Sequence, residues 1–207
     1  PEQQVVAWLW QGEPAKARES FERTLSELGL DHLDLFLIHW PLPTLYDGDY
    51  VSTWKTLEEF TKDGRARSIG VSNFQVEHLT RLAQETGTVP AVNQIEVHPY
   101  LGNPELRAFH AETGIVTEAW SPLAQGAALD SPAVTTAAAR HGVTPAQVVL
   151  RWHLQHGTVV IPKSATPSRI AANLALFGFT LDDAEIAAID ALEADGRTGP
   201  HPAAFNG

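Results

Sequence analysis

The stretch LDLFLIHWP (33–41) is a short apolar run that ends on a histidine. Runs of this kind are typical of strands buried on both faces of a parallel sheet. The ionisable side chain at the end of such a strand calls for an explanation, because burying an ionisable group without a hydrogen-bond partner costs free energy. His39 is therefore either a satisfied core histidine or part of a site at the carboxyl end of the strand.

Apolar runs and amphipathic stretches alternate along the rest of the chain. We predict strands at 5–10, 33–38, 68–71, 91–97, 115–120 and 159–161, and helices at 14–29, 51–62, 75–85, 104–112, 132–141, 145–156, 167–176 and 182–194. This alternation indicates parallel strands joined by right-handed crossovers. No G-x-G-x-x-G motif follows the first strand, which argues against a Rossmann domain. The strand spacing predicts an α/β protein of the (β/α)8 TIM-barrel class.

The number of βα units bears on the domain organisation. Six units are present, whereas a closed barrel of this type needs eight. We expect residues 1–207 to form a single barrel domain that lacks the first two units, with an irregular tail at 195–207. The native gene product would then carry ~60 further residues before Pro1. We expect a monomer if the barrel is complete; self-association becomes possible if it is truncated, because open strand edges pair.

Composition excludes several classes of function. The chain has 207 residues and no cysteine, which removes disulfides and thiolate sites and favours a cytoplasmic location. A net charge of −11 argues against nucleic acid or an anionic membrane as a partner. No histidine spacing indicates a metal, and we interpret His153 and His156 as caps of a helix C-terminus.

Polar and aromatic residues follow nearly every predicted strand, at the end where (β/α) barrels carry function. For any one of them, capping or loop packing is the simpler interpretation. Agreement among six strand ends favours a site that orients a polar, planar ligand.

The segment IPKSATPSR (161–169) is the most specific of these strand ends. It runs from strand through loop to helix start, with Thr166 as the predicted N-cap and Pro167 at the first helical position. The N–H groups of that helix start, with Lys163 and Arg169 close by, would form an anion site. The motif alone is equally compatible with Lys163 and Arg169 being solvated surface charges.

Together these segments resemble the aldo-keto reductase family, in its prokaryotic 2,5-diketo-D-gluconate reductase-like branch. The matching segments are LGLDHLDLFLIHWP, SIGVSNF, PAVNQIEVHPY, EAWSPLAQG, TPAQVVLRWHLQHG, IPKSATPSRIAANL and FGFTLDDAEIAAID, in the family's order over most of residues 25–193. The resemblance implies a (β/α)8 barrel that binds extended NADPH without a Rossmann fold. It also implies reduction of the carbonyl of a small aldehyde, ketone or keto sugar to an alcohol.

The resemblance further implies roles for individual residues. His39 matches the catalytic histidine that orients the substrate carbonyl, and Trp120 matches the aromatic residue that stacks on the nicotinamide ring. The other implied cofactor contacts are Ser72, Asn73 and Gln94 for the nicotinamide carboxamide, Ser121 and Leu123 for the pyrophosphate, Lys163, Ser164, Thr166 and Arg169 for the 2′-phosphate, and Asn173 for the adenine. Trp10 and Trp40, at the ends of the first two strands, are predicted to contact the substrate.

One part of the family's pattern is not matched. In the family a tyrosine protonates the carbonyl oxygen, and a lysine paired with an aspartate lowers the pKa of that tyrosine. The aspartate and the tyrosine would precede Pro1. Trp8 stands at the lysine's position, and an indole supplies no positive charge.

Three explanations are open. The sequence is incomplete or uncertain near its start, or the protein is a relative that binds NADP(H) without turnover, or Tyr46 or Tyr50 acts as the acid. The third is the least favoured, because Asp47 and Asp49 would raise the pKa of a nearby phenol. Two functions follow, an NADPH-dependent carbonyl reductase and a catalytically impaired NADP(H)-binding relative.

Glu96 and Glu118 suggest a different class, a glycosidase with paired carboxylates. Strand parity places each of them on the same face as a proposed cofactor contact. Periodicity alone does not exclude the pair, but a glycosidase does not need the phosphate-type loop at Lys163.

Overall fold

The structure, a computed structural model, describes residues 6–9 and 14–205, with side chains from residue 15 onward. Trp10 lies outside the described residues. Six strands are present: β1 (Val6–Leu9), β2 (Leu33–Ile38), β3 (Ala66–Ser72), β4 (Val92–Glu96), β5 (Val116–Trp120) and β6 (Val159–Val160). Each overlaps a predicted strand.

Eight helices alternate with or follow these strands in the described part of the chain. They are α1 (Pro14–Leu28), α2 (Tyr50–Lys62), α3 (Val76–Glu85), α4 (Pro104–Thr113), α5 (Pro132–His141), α6 (Pro145–Gln155), α7 (Pro167–Leu174) and α8 (Asp183–Asp190). The last helix ends earlier than predicted. Ala194 donates its N–H to the carbonyl oxygen of Tyr100 instead of continuing the helical ladder, at 3.2 Å.

The strands follow one another through the sheet in sequence order, β1 to β6. The pairings of β1 with β2, β2 with β3, β3 with β4 and β5 with β6 are all parallel. Sequential parallel order places the carboxyl ends of neighbouring strands side by side. Within the first unit, the residues that follow β2 and β3 therefore lie side by side.

The chain divides into two compact units. The first comprises the described residues up to 94 together with 106–116 and 200–205, and its core forms where side chains of α1 and α2 pack on β2. The ring of Phe21 stacks on that of Phe60 at 4.0 Å between centroids and meets the edge of Phe36 at 5.0 Å. This burial explains why the apolar run that begins at Leu33 forms a strand covered by helices.

The second unit comprises residues 95–105 and 117–199. Helices α6 and α8 begin at side-chain caps: the Thr144 hydroxyl accepts from the N–H of Gln147, as predicted, and the Asp182 carboxylate accepts from the N–H of Glu185. The indole of Trp152 in α6 is buried and donates to the Asp190 carboxylate at 2.7 Å. Helices α5, α6 and α8 thus hold this unit's core.

Helix α7 and the residues that follow it have little covering. Helix α7 buries no residue, and the side chains of Leu174 and Phe177 are 74% and 80% exposed. The tail contains no helix or strand between residues 195 and 199. Among the described residues, no helix is long and apolar enough to cross a membrane, and no cluster of three or more metal-binding side chains occurs.

Candidate active site

His39 follows β2 directly and is half-buried. Burial lowers the pKa of its imidazole below the usual 6.5, so the ring is neutral at pH 7. A neutral imidazole keeps one N–H donor and one acceptor nitrogen. The neighbouring Trp40 is buried, and its ring lies 4.3 Å from that of Phe205 in the same unit.

Hydrogen bonds join the ends of β2, β3 and β4 in the first unit. The side-chain amide of Asn73 donates to the carbonyl oxygen of His39 and to the hydroxyl of Ser72, both at 3.0 Å. The Ser72 hydroxyl donates to the carbonyl oxygen of Gln94 at 2.7 Å, and the Asn73 N–H donates to the same oxygen at 2.9 Å. Asn73 has a left-handed backbone with φ 63°, which asparagine tolerates better than most residues. The structure therefore brings His39 together with the three residues predicted for the nicotinamide carboxamide, Ser72, Asn73 and Gln94.

The predicted pyrophosphate loop follows β5 in the second unit. Trp120 ends the strand, and the chain turns sharply at Ser121, whose φ is 48°. The N–H of Ala124 donates to the carbonyl oxygen of Ser121 at 2.9 Å, which closes the turn around Leu123. This turn keeps the loop next to the end of β5.

His153 supports that loop from α6, a role that the sequence did not predict. Its imidazole is fully buried, and Nε2 lies 3.0 Å from the carbonyl oxygen of Pro122. The interpretation of His153 as a helix cap is therefore wrong. His156 does occupy the C-cap position of α6, and its ring contacts the Asp190 carboxylate at 2.9 Å.

The predicted phosphate site begins at α7. Lys163 and Arg169 are exposed, and neither forms an ion pair with another described residue. Thr166 occupies the N-cap position as predicted, but its hydroxyl does not cap the helix; its N–H donates to the Ser164 hydroxyl at 3.2 Å. The first N–H groups of α7 thus lack a side-chain acceptor at their N-cap, with two cations on the same segment. Asn173 lies half-buried in α7.

The structure also describes residues that bear on the proposed proton donor. The backbone of Trp8 pairs with Leu37 within β1 and β2. Tyr50 is 3% exposed, and burial raises the pKa of its hydroxyl. Asp49 does not cause this shift; its carboxylate caps α2 by accepting the N–H of Ser52 at 2.9 Å. A buried phenol with a raised pKa is a poorer acid, which weakens the case for Tyr50 as the proton donor.

The environment of Glu96 does not suit the general acid of a glycosidase. Burial alone would raise the pKa of this carboxyl, but hydrogen bonds from His98, Thr198 and Gly199 outweigh it and lower the pKa to about 2. The general acid of a glycosidase needs a raised pKa. Glu96 instead binds the tail of the chain, a pairing that sequence reasoning missed.

The strands and helices define an α/β protein whose parallel strands are followed by polar and aromatic residues. Residues 4–194 match the model of the Aldo/keto reductase family, and the chain belongs to that family. The chain is 50% identical to an aldo-keto reductase of Mycolicibacterium smegmatis over 204 residues, which are 98% of this chain and 74% of that protein. It is 47% identical over 205 residues to the methylglyoxal reductase DkgA of Salmonella typhimurium, with the same coverage.

Solved structures show the same relationship. The structure of a mutant of Gox0644 in complex with NADPH superposes with a TM-score of 0.93 at 46% identity, covering 98% of this chain and 75% of that one. The predicted fold class, a TIM barrel of the aldo-keto reductase type with six βα units in this chain, is thereby confirmed. The single-domain assignment and the individual site residues stay predictions.

Proposed function

We propose that the protein reduces the carbonyl group of a small aldehyde, ketone or keto sugar to an alcohol with NADPH as the hydride donor. The observation that carries the proposal is the neutral, half-buried imidazole of His39 at a strand end fixed by Asn73. Membership of the aldo-keto reductase family supports it, as do a relative named methylglyoxal reductase and a similar structure in complex with NADPH. A small carbonyl compound is the proposed partner, and a cytoplasmic location stays a prediction.

His39 would bind the substrate. A neutral imidazole donates its N–H to the carbonyl oxygen, which orients the carbonyl and favours negative charge on that oxygen as hydride reaches the carbon. A cationic imidazole would be costly at this half-buried position, in keeping with its lowered pKa. When bound, the cofactor supplies the hydride.

The nicotinamide end would be held by the residues that the resemblance assigns to it. In the first unit, Ser72 and Gln94 are buried, and the Ser72 hydroxyl is held in place by the hydrogen bond to the backbone carbonyl oxygen of Gln94. In the second unit, Trp120 is half-buried and offers an indole face of the kind that stacks on a planar ring.

The phosphate end would be held by α7 and its two cations. The start of α7 lacks a side-chain cap, and Arg169 and Lys163 are not engaged in ion pairs with described residues. A dianionic phosphate satisfies both features, since N–H groups and cations each favour an anion there. This fit favours NADPH over NADH, which lacks the 2′-phosphate.

The second candidate is a relative that binds NADP(H) and does not turn over. Two observations favour it: Trp8 stands where the family has a lysine, and Tyr50 is buried with a raised pKa. Without a tuned acid, the reduced oxygen receives its proton slowly.

Oxidation of NADPH in the presence of methylglyoxal, simple aldehydes and diketo sugars separates the two candidates. The reductase predicts turnover that falls roughly a hundredfold in His39→Gln, because a preorganised donor to the carbonyl is lost. His32→Gln is the matched control, since His32 lies at the opposite end of β2. Tight NADPH binding without turnover of any substrate would favour the second candidate.

A further inference from the structure

Glu96 is the last residue of β4, and its carboxylate is fully buried. Burying an ionised carboxylate is costly unless donors surround it. The donors come from a segment about a hundred residues away: Oε1 accepts the N–H of Thr198 at 2.6 Å and also its hydroxyl. The N–H of Gly199 lies 3.2 Å from Oε2. One side chain thus collects three donors from two consecutive residues of the tail.

Two further groups complete the surroundings of this carboxylate. The imidazole Nε2 of His98 lies 3.2 Å from Oε1, and the guanidinium of Arg197 lies 3.7 Å from Oε2. The backbone of Glu96 is fixed as well, because the side-chain amide of Asn103 donates to its carbonyl oxygen at 2.7 Å. The acceptor is therefore rigid, and the tail residues conform to it.

The residues that lead into the tail, 193–196, are held by hydrogen bonds to the loop that follows β4. The N–H groups of Ala194 and Gly196 both donate to the carbonyl oxygen of Tyr100, at 3.2 and 2.7 Å. The Glu193 carboxylate accepts the N–H of Gly102. A Cβ on Gly196 would lie 2.9 Å from Cβ of Tyr100, so the two backbones are in close contact.

Gly199, at the end of this segment, lies against the indole of Trp120. A Cβ on Gly199 would lie 2.4 Å from Cη2 and 3.1 Å from Cζ3 of that ring, and 3.4 Å from Oε2 of Glu96. Contacts under 3.0 Å do not occur for real Cβ atoms, so glycine is what allows the backbone to reach the ring. The position of the benzo edge of Trp120 is therefore coupled to the position of Gly199.

We propose that Glu96 is a positioning residue. Its hydrogen bonds to Thr198 and Gly199, which we call the clasp, fix the orientation of the Trp120 indole for the bound nicotinamide. The inference rests on the proposed function, in which Trp120 stacks on the nicotinamide ring. It assigns the tail an effect on cofactor binding, carried by contacts within the second unit.

The clasp itself is tested without any cofactor. Arg197 precedes the clasped residues, so release of the tail exposes the Arg197–Thr198 bond to trypsin. Glu96→Gln keeps the shape of the side chain but places an amide donor against the N–H donors of the tail. Release of the fragment 198–207, followed by mass spectrometry, is expected to be at least about tenfold faster in this variant than in the native protein, because charge-assisted hydrogen bonds are lost. An unchanged rate would overturn the clasp.

The positioning role is tested by NADPH affinity. Both Glu96→Gln and Gly199→Ala are expected to raise the Kd for NADPH roughly tenfold, the second by displacing the indole without altering any charge. Gly178→Ala is the matched control, since a Cβ there meets nothing within 4 Å. Its Kd and its melting temperature should equal those of the native protein.

The outcomes are distinguishable. Faster tail release with unchanged NADPH affinity in both variants would show a merely structural tail and overturn the positioning role. A native protein that binds no NADPH would overturn the proposed function and the positioning role together, while the trypsin comparison would still decide whether Glu96 holds the tail. Should Glu96→Gln fail to fold, Gly199→Ala carries the test alone.

Discussion

The side-chain amide of Asn73 donates to the carbonyl oxygen of His39 at 3.0 Å, which ties the end of β3 to the residue that we assign to the carbonyl. Asn73 also donates to the hydroxyl of Ser72, the last residue of β3, and that hydroxyl donates to the carbonyl oxygen of Gln94 in β4. The backbone position of His39 therefore depends on neighbouring strands and not on β2 alone.

Asn73→Asp removes both donors while keeping the size of the side chain and its tolerance of a left-handed backbone. We expect a loss of roughly 1–3 kcal/mol in the free energy of unfolding, because acceptors are left unsatisfied and a carboxylate faces a carbonyl oxygen. Denaturant unfolding measures this loss. Unchanged stability would show that the amide does not hold His39.

Gly70→Ala tests the close packing of β3 against its neighbours. A Cβ at this position would lie 2.7 Å from both Cδ2 of Leu37 and the carbonyl oxygen of Val92. We expect a loss of about 1–3 kcal/mol in the free energy of unfolding, since a backbone atom cannot move aside as a side chain can. Gly87→Ala is the control, because a Cβ there has nothing within 4 Å. Equal stability of the two variants would contradict the strand register.

His110 predicts a pH dependence of stability. The Asn93 amide is oriented by Phe74, donating to its carbonyl oxygen and accepting its N–H, so Nδ2 points a donor at Nε2 of His110, 3.0 Å away. Burial lowers the pKa of His110 from 6.5 to about 4. The unfolded chain therefore binds a proton that the folded protein does not, and this contribution to stability is present above pH 6.5 and lost as the pH falls towards 4.

The loss at His110 amounts to about 3 kcal/mol over that range. His39 and His78 also have lowered pKa values and add to the slope. Unfolding curves between pH 7 and 4.5 should show a smaller slope for His110→Gln than for the native protein. The same slope in both would mean that His110 titrates normally.

Arg169→Ala tests the 2′-phosphate assignment. We expect NADPH binding to weaken roughly tenfold to a hundredfold with little change for NADH, because a charge-assisted hydrogen bond to phosphate is lost. Arg23→Ala, which removes an exposed arginine from α1, should change neither affinity. Equal weakening of NADPH and NADH in Arg169→Ala would refute the assignment.

The sequence predicted the parts of the fold that depend on local pattern. The bounds of β2 were correct because an apolar run flanked by polar residues specifies a buried strand, and Thr144 was recognisable as a cap from the residues that follow it. The parts that were missed depend on contacts between distant segments. The pairing of Glu96 with Thr198 joins residues 102 apart, and the tail has no periodicity that would reveal it.

The same limit applies to individual side chains. Thr166 sits where a capping threonine is expected, yet its hydroxyl does not cap α7, and sequence gives no sign of a rotamer. His153 lies at the spacing of a helix-end cap but reaches the carbonyl oxygen of Pro122 inside the second unit. Both outcomes were decided by tertiary packing around the side chain.

Hydride transfer from the cofactor to the substrate is the central claim, and isotopic labelling tests it most directly. NADPH carrying deuterium at nicotinamide C4, on each face in turn, is incubated with the protein and methylglyoxal or another substrate from the panel, and the alcohol is analysed by mass spectrometry. We predict a single deuterium on the carbinol carbon from one labelled face and none from the other, with the deuterated alcohol forming roughly a hundredfold more slowly in His39→Gln. An alcohol without deuterium from either labelled face, or no alcohol while NADPH is bound, would contradict the account.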